Sequence, residues 1–119
     1  MMQVKDVNKA LSKHPAGTFL DLLKFNNSYI GACDITGISP VWEMHPDTDE
    51  FFYILEGQFE IALFDCETPS KHIVNSGSSF VVPMGIWHKP GAPNGCKFIH
   101  FTPGKSLHSE ADDPRAQNT

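Results

Sequence analysis

The segment 50-EFFYILEG-57 places the tightest limit on the fold of this chain. It is too apolar for a half-exposed strand, so both of its faces need cover. The turn Pro46-Asp47-Thr48-Asp49 precedes it, and Gly57-Gln58 after it reads as another turn. Short strand-like runs recur on either side. TFLDLLKF and SYIGACDITG flank Asn26-Asn27-Ser28, and PVWEMH, QFEIALFD, a short piece around Ile73 and Val74, FVVP and CKFIHFTPG follow. MGIWHKPGAPNG is loop-like at both ends. This makes roughly eight short strands with very little helix, an all-β chain whose sheet must close into a barrel or pack as a sandwich. A length of 119 residues suits one such domain.

Val4, Val7 and Leu11 recur at helical spacing, so a short helical piece is expected within an N-terminal segment, 1–17. The β domain then spans 18–104. The stretch 105–119 is polar and rich in breakers, and is expected to be a loose tail anchored at most by Leu107. The net charge is -5 and the basic residues are scattered, which argues against nucleic acid or an anionic membrane surface as a partner. No run approaches the roughly 18 apolar residues of a membrane span. The first twenty residues lack a signal peptide's apolar centre, so a cytoplasmic location is expected. Cys33, Cys66 and Cys96 are too widely spaced for a metal knuckle and read as small buried thiols.

Chemistry concentrates in 41-VWEMHPDTDEFFYILEG-57. Glu43 and His45, two residues apart on a strand, point to one side, with Trp42 and Met44 opposite. The PDTD turn lets Glu50, which opens the next strand, face the end of the first. Pro83 and Gly85 shape an approach that brings His88 back over the same sheet. Two imidazoles and two carboxylates suit a divalent transition metal, which lets both acids ionise side by side. Two histidines and a carboxylate with open positions suit Fe(II), and Mn, Ni or Zn fit the same donors. Asp47, Asp49, Tyr53 and Trp87 are candidates to support these ligands. Phe52, Ile54, Phe59, Ile61 and Phe80 lie beneath the site, as the lining of a small apolar pocket or as core. Lys89 is either a partner for an anionic substrate or solvated. His14, His72 and His108 read as terminus, loop and tail residues, and His100, on the same side as Phe98, as a sheet-surface histidine or a lining residue of the cavity.

These residues fall into two ordered motifs. The first is a glycine, five residues, HxH, three or four residues, a glutamate, six residues and a glycine, matched by Gly37, His45, Glu50 and Gly57. The second is a glycine, five residues, PxGxxH, three residues and an asparagine, matched by Gly77, Pro83, Gly85 and His88. In this the chain resembles the cupin superfamily, specifically its small single-domain members. The resemblance implies a jelly-roll β-barrel holding a metal at its mouth through His45, Glu50 and His88. It also implies a small-molecule ligand and a homodimer that covers outward residues such as Trp42, Met44, Phe51, Tyr53 and Leu55. Three functions stay open: a metal-dependent enzyme of the oxygenase or isomerase type, a binding or sensing module, and a structural protein whose site is vestigial. Glu43 stands where the family has the first histidine, and Ala92 where it has the asparagine. Glu43 is open to three roles: a fourth metal ligand, a catalytic general base, or a rim carboxylate.

Overall fold

A computed structural model describes residues 2–117; residue 1 and residues 118–119 of the two expected terminal segments lie outside the described residues. The elements in chain order are α1 (Val7–Ser12), β1 (Leu20–Phe25), β2 (Ser28–Ile38), β3 (Trp42–Met44), β4 (Glu50–Leu63), β5 (Ser70–Asn75), β6 (Ser79–Val82), β7 (His88–Phe101), β8 (Leu107–Ser109) and a 3-10 turn, Pro114–Gln117. All pairings are antiparallel. The order β1-β2-β7-β3-β8 forms one run, and β4 joins it along β7 while pairing with β6 and β5 on its other edge. The result is a jelly-roll barrel with a very short helical segment at its N-terminus. Among the described residues no helix is long and apolar enough to cross a membrane.

The segment 50–57 is covered on one face only: Glu50, Phe52 and Ile54 are buried, whereas Phe51 is exposed and Tyr53 and Leu55 are half-buried, within a strand longer than expected. Gly57 is not a turn. It is a bulge within β4, at a positive φ of 82°. A side chain there would collide with the Gly95 carbonyl on β7, so only glycine lets the two long strands stay paired. The stretch expected to be loop-like around 88–95 is likewise strand, part of β7. Its register shifts against β2 and β4 both span Pro93, which cannot donate to a ladder.

The barrel interior is a stack of aromatic rings. Phe52 lies parallel to Phe80 with centroids 4.8 Å apart, and Phe59 meets Phe98 edge-on at 5.2 Å. Ile54, Ile61, Val82, Cys33 and Cys96 close the cluster. Each fully buried aliphatic or aromatic side chain here contributes on the order of 1.5–3 kcal/mol. Phe52, Ile54 and Phe59 are packed core, whereas Ile61 and Phe80 also line an apolar pocket of about 320 Å³ together with Val74 and Val82. Burial also pushes the Cys33 and Cys96 thiols up to about 11, which leaves them inert. Cys66 is exposed, contrary to expectation. It lies in the β4–β5 loop.

A second cluster seats α1, with Leu11 against Leu22 and Ala32. A third comprises Trp42, Phe64 and Trp87, with Met44 packed against it. Trp42 and Met44 are therefore covered within the chain, whereas Phe51 remains exposed. The tail is not loose as far as Gln117. Residues 107–109 pair with β3, matching Trp42 to Ser109, Glu43 to His108 and Met44 to Leu107. Polar composition hid this strand, because it is held by backbone pairing to a distant segment.

Candidate metal centre

Four side chains converge at one end of the barrel: Glu43 on β3, His45 just after it, Glu50 at the start of β4 and His88 at the start of β7. Local structure explains the convergence. Glu43 and His88 are register partners on neighbouring strands. The 46–49 turn is tied down by Asp49, which accepts from the Met84 N–H at 2.9 Å. The Gly85 N–H donates to the His45 carbonyl at 2.8 Å, docking the second motif onto the first. Of the other supporting candidates, Asp47 accepts from the Lys105 N–H at 2.9 Å, and Trp87 packs in the cluster beside His88.

His45, Glu50 and His88 are 3 %, 4 % and 0 % exposed. Glu50 Oε1 lies 3.0 Å from His45 Nε2 and 3.1 Å from His88 Nε2. Glu43 Oε1 lies 3.5 and 3.4 Å from the same two nitrogens. Donors bonded at ~2.1 Å to one ion lie ~3.0–3.4 Å apart in adjacent tetrahedral or octahedral positions, so these spacings fit a single shared cation. The ring orientations fit as well. His45 Nδ1 faces the Lys105 carbonyl at 3.0 Å and His88 Nδ1 faces the Ile86 carbonyl at 3.1 Å. A carbonyl can only accept, so both protons sit on Nδ1 and both Nε2 atoms turn inward.

Inward-facing lone pairs would repel the carboxylates. Either each imidazole carries a second proton or a cation lies between them. Burial opposes charge on Glu50, but hydrogen bonds from His45, His88 and Thr102 outweigh it and hold the carboxyl at about 2. The same contest keeps Glu43 below the usual carboxylate range. Burial likewise opposes charge on the imidazoles, yet contacts with Glu43 and Glu50 lift His45 to about 10 and His88 to about 9. Two imidazolium ions balance two carboxylates. One divalent cation with two neutral imidazoles gives the same net charge of zero. The cluster is thus capable of coordinating a divalent metal without leaving a net buried charge.

Residues 35–102, more than half of the chain, match the cupin domain. The chain belongs to this family. Among solved structures the cupin is similar to a cupin-2 domain containing protein from Shewanella frigidimarina NCIMB 400, at 28 % identity, with a TM-score of 0.72 over 82 % of this chain and 91 % of that one. It also shares its fold with hydroquinone 1,2-dioxygenase from Sphingomonas sp. TTNP3, at 14 % identity and a TM-score of 0.69, over 80 % of this chain and 70 % of that one. The uncharacterized protein L612 of Acanthamoeba polyphaga mimivirus is 30 % identical over 73 residues, which cover 61 % of this chain and 43 % of L612. The cupin therefore spans less than half the length of that relative.

Thr102 escaped the sequence reading, and His100 takes the inward of its two alternatives. Thr102 donates to Glu50 Oε2 at 2.7 Å, and His100 Nδ1 lies 3.7 Å from the same oxygen. His100 is packed among Phe19, Phe52 and Phe98, and neither ring nitrogen has a hydrogen-bond partner among the described residues. Burial holds its pKa down. Strand parity with Phe98 was the available signal, since 98, 100 and 102 share a face. His108, expected as a tail residue, lies 3.1 Å from Glu43 Oε2. Lys89 sits over the Trp42 ring, 5.0 Å from its centroid. A cleft of about 420 Å³ opens outside the cluster, lined by Phe19, Ser39, Val41, Glu43, Pro90 and His108.

Proposed function

We propose that this cupin binds a divalent transition metal (Fe, Mn, Ni or Zn) through His45, Glu50, His88 and Glu43, and uses it as a metal-dependent enzyme acting on a small molecule. The reading rests on the two inward-turned Nε2 atoms sharing Glu50 Oε1 at 3.0 and 3.1 Å. Such an ion would supply Lewis acidity toward an oxygen-bearing substrate and, if iron, one-electron redox chemistry. The protein's own part is positional. His45 and His88 are locked by carbonyls on Nδ1. Glu50 is fixed by Thr102. Glu43 presents Oε1 to the histidines and lines the outer cleft, where it can accept a proton from a bound substrate.

An oxygenase of small phenols is the form supported by fold similarity to hydroquinone 1,2-dioxygenase, whose structure carries 4-hydroxybenzoate. An isomerase using Glu43 as its base is the other form. Metal analysis of protein purified without an affinity tag, then oxygen uptake with a hydroquinone and hydroxybenzoate panel, tests the oxygenase form. Uptake that depends on added iron supports it, and none across the panel removes it. A second reading, a binding or sensing module with the same metal site, is favoured by the filled barrel interior beneath the cluster. Saturable ligand binding to the metal-loaded protein without turnover would support that reading.

We also propose a homodimer, since Phe25, Ile38, Phe51, Ile73 and Val81 leave apolar area exposed. Analytical ultracentrifugation at micromolar concentration distinguishes it from a monomer.

A further inference from the structure

Two of the four converging side chains owe their orientation to the C-terminal segment. Beyond β7 the chain turns at Gly104, where a side chain would collide with the Asp47 carboxylate, and the Lys105 N–H donates to Asp47 Oδ1 at 2.9 Å. The Lys105 carbonyl then accepts from His45 Nδ1 at 3.0 Å, and Ser106 Oγ lies 3.0 Å from the same nitrogen. Next comes β8, whose register sets His108 opposite Glu43 with its Nε2 3.1 Å from Oε2. That contact leaves Oε1 as the oxygen turned toward both histidines.

The far end of this segment is latched at a distance from the cluster. Pro114 is fully buried. The Arg115 guanidinium lies 4.3 Å over the Phe64 ring, in the same apolar cluster as Trp42 and Trp87. Its Nη1 donates to the Cys66 carbonyl at 2.9 Å, and its Nη2 to the Glu67 carbonyl at 3.0 Å. A planar fork that stacks on a ring and grips two carbonyls of one loop is a specific clasp, which lysine would not reproduce. Residues 104–115 therefore form a strap, pinned at Asp47 and at the 64–67 loop, with its middle lying against His45 and Glu43.

We propose that this strap is a positioning element of the metal centre: docked by Arg115, it sets His45 Nε2 and Glu43 Oε1 for ligation and slows the loss of the ion. The inference rests on the metal-binding reading above. Its logic is that losing a partner behind a ligand raises the freedom of that ligand, typically weakening metal binding about 10–100-fold. Arg115 touches no member of the cluster, so an effect of its removal must travel through the strap.

The test uses Mn(II) alone as the probe. The full chain and the variants Arg115→Ala, His108→Ala and His108→Gln are titrated by electron paramagnetic resonance, and ion release into excess chelator is timed. Lys97→Ala, which breaks the outer-surface ion pair with Glu56 at 3.0 Å, is the control. Arg115→Ala is expected to speed release about 10-fold and His108→Ala to weaken affinity by a similar factor, while His108→Gln, which keeps a donor, stays within about twofold of the parent. Hydrogen exchange of the ion-free protein should show faster exchange at 105–109 in Arg115→Ala and unchanged exchange in β4 and β7. If the parent binds Mn(II) but Arg115→Ala and His108→Ala release it at the parent's rate, the strap has no positioning role. Equal losses for His108→Ala and His108→Gln would overturn the assignment of His108 as a donor to Glu43. A parent that takes up none of Mn(II), Fe(II), Ni(II) and Zn(II) removes the metal reading and this inference together.

Discussion

Glu50 and His88 begin the two longest strands, β4 and β7, which pair along most of their length. Glu43 and His45 sit on a three-residue strand and the turn after it. Partners inside the barrel fix the first pair: Thr102 for Glu50 and the Ile86 carbonyl for His88. The second pair leans on the C-terminal strap. The difference is visible in exposure. The Glu50 side chain is 6 % accessible, whereas that of Glu43 is 28 % accessible and lines the outer cleft. The first pair is thus held by the core, while in the second pair His45 is equally buried and Glu43 alone of the four is open to solvent. Binding strength should reside in the first half, and reactivity and exchange in the second.

The sharpest way to break this contrast is to remove a core-held member. Glu50→Ala leaves two buried imidazoles without the carboxylate they share. Removing one partner of a buried ion pair costs about 3–5 kcal/mol, so the melting temperature should fall and metal uptake should vanish. Calorimetry and metal analysis of the same sample check both. Glu43→Ala should be milder, keeping the fold and a detectable metal site with affinity lowered by about 10-fold, as suits a more exposed donor. Retained affinity with lost turnover would instead make Glu43 a base. A Glu43→Ala variant that loses metal as completely as Glu50→Ala would erase the distinction between the halves.

Proton linkage sharpens the comparison. His45 and His88 are raised from an ordinary 6.5 to about 10 and about 9, so their contribution to stability is complete below 6.5 and lost as pH rises through those values. Glu50 is lowered from 4.5 to about 2, so its contribution is present above 4.5 and lost as pH falls through 2. The chelator-treated protein should therefore draw most stability from this cluster between roughly pH 4.5 and 6.5. Metal displaces protons from the two imidazoles, so affinity should rise with pH up to about 9–10. Calorimetric titration in buffers of different ionisation enthalpy should count close to two protons released per ion near neutral pH, one from each imidazole. The smallest expected effect belongs to Thr102→Val, which removes one hydrogen bond to Glu50 and should cost about 1 kcal/mol of stability with metal retained.

The core-held half was the more legible in the sequence. Glu50 opens an apolar strand and His88 follows Pro83 and Gly85, so residue type and spacing pointed to them directly. His45 was legible for the same reason. The strap was not. Leu107–Ser109 is too short to show alternation, and its partner lies more than sixty residues earlier, so only the folded sheet sets His108 against Glu43. Long strands were hidden for a different reason. Gly57, Pro93 and Gly95 are ordinary turn residues, and here they lie within long strands, at or beside a register shift that the neighbouring strand tolerates. His100 shows how parity and polarity conflict. Alternation turns it inward with Phe98, while its type suggested the surface.

Everything proposed for the site turns on two imidazoles and a buried carboxylate sharing one cation. Crystals grown with Mn(II) and measured at the manganese absorption edge test that directly. The expected result is a single anomalous peak bonded at about 2.0–2.3 Å to His45 Nε2, His88 Nε2 and Glu50 Oε1. A well-ordered barrel with no peak there at saturating Mn(II), or with the ion bound elsewhere, would contradict it.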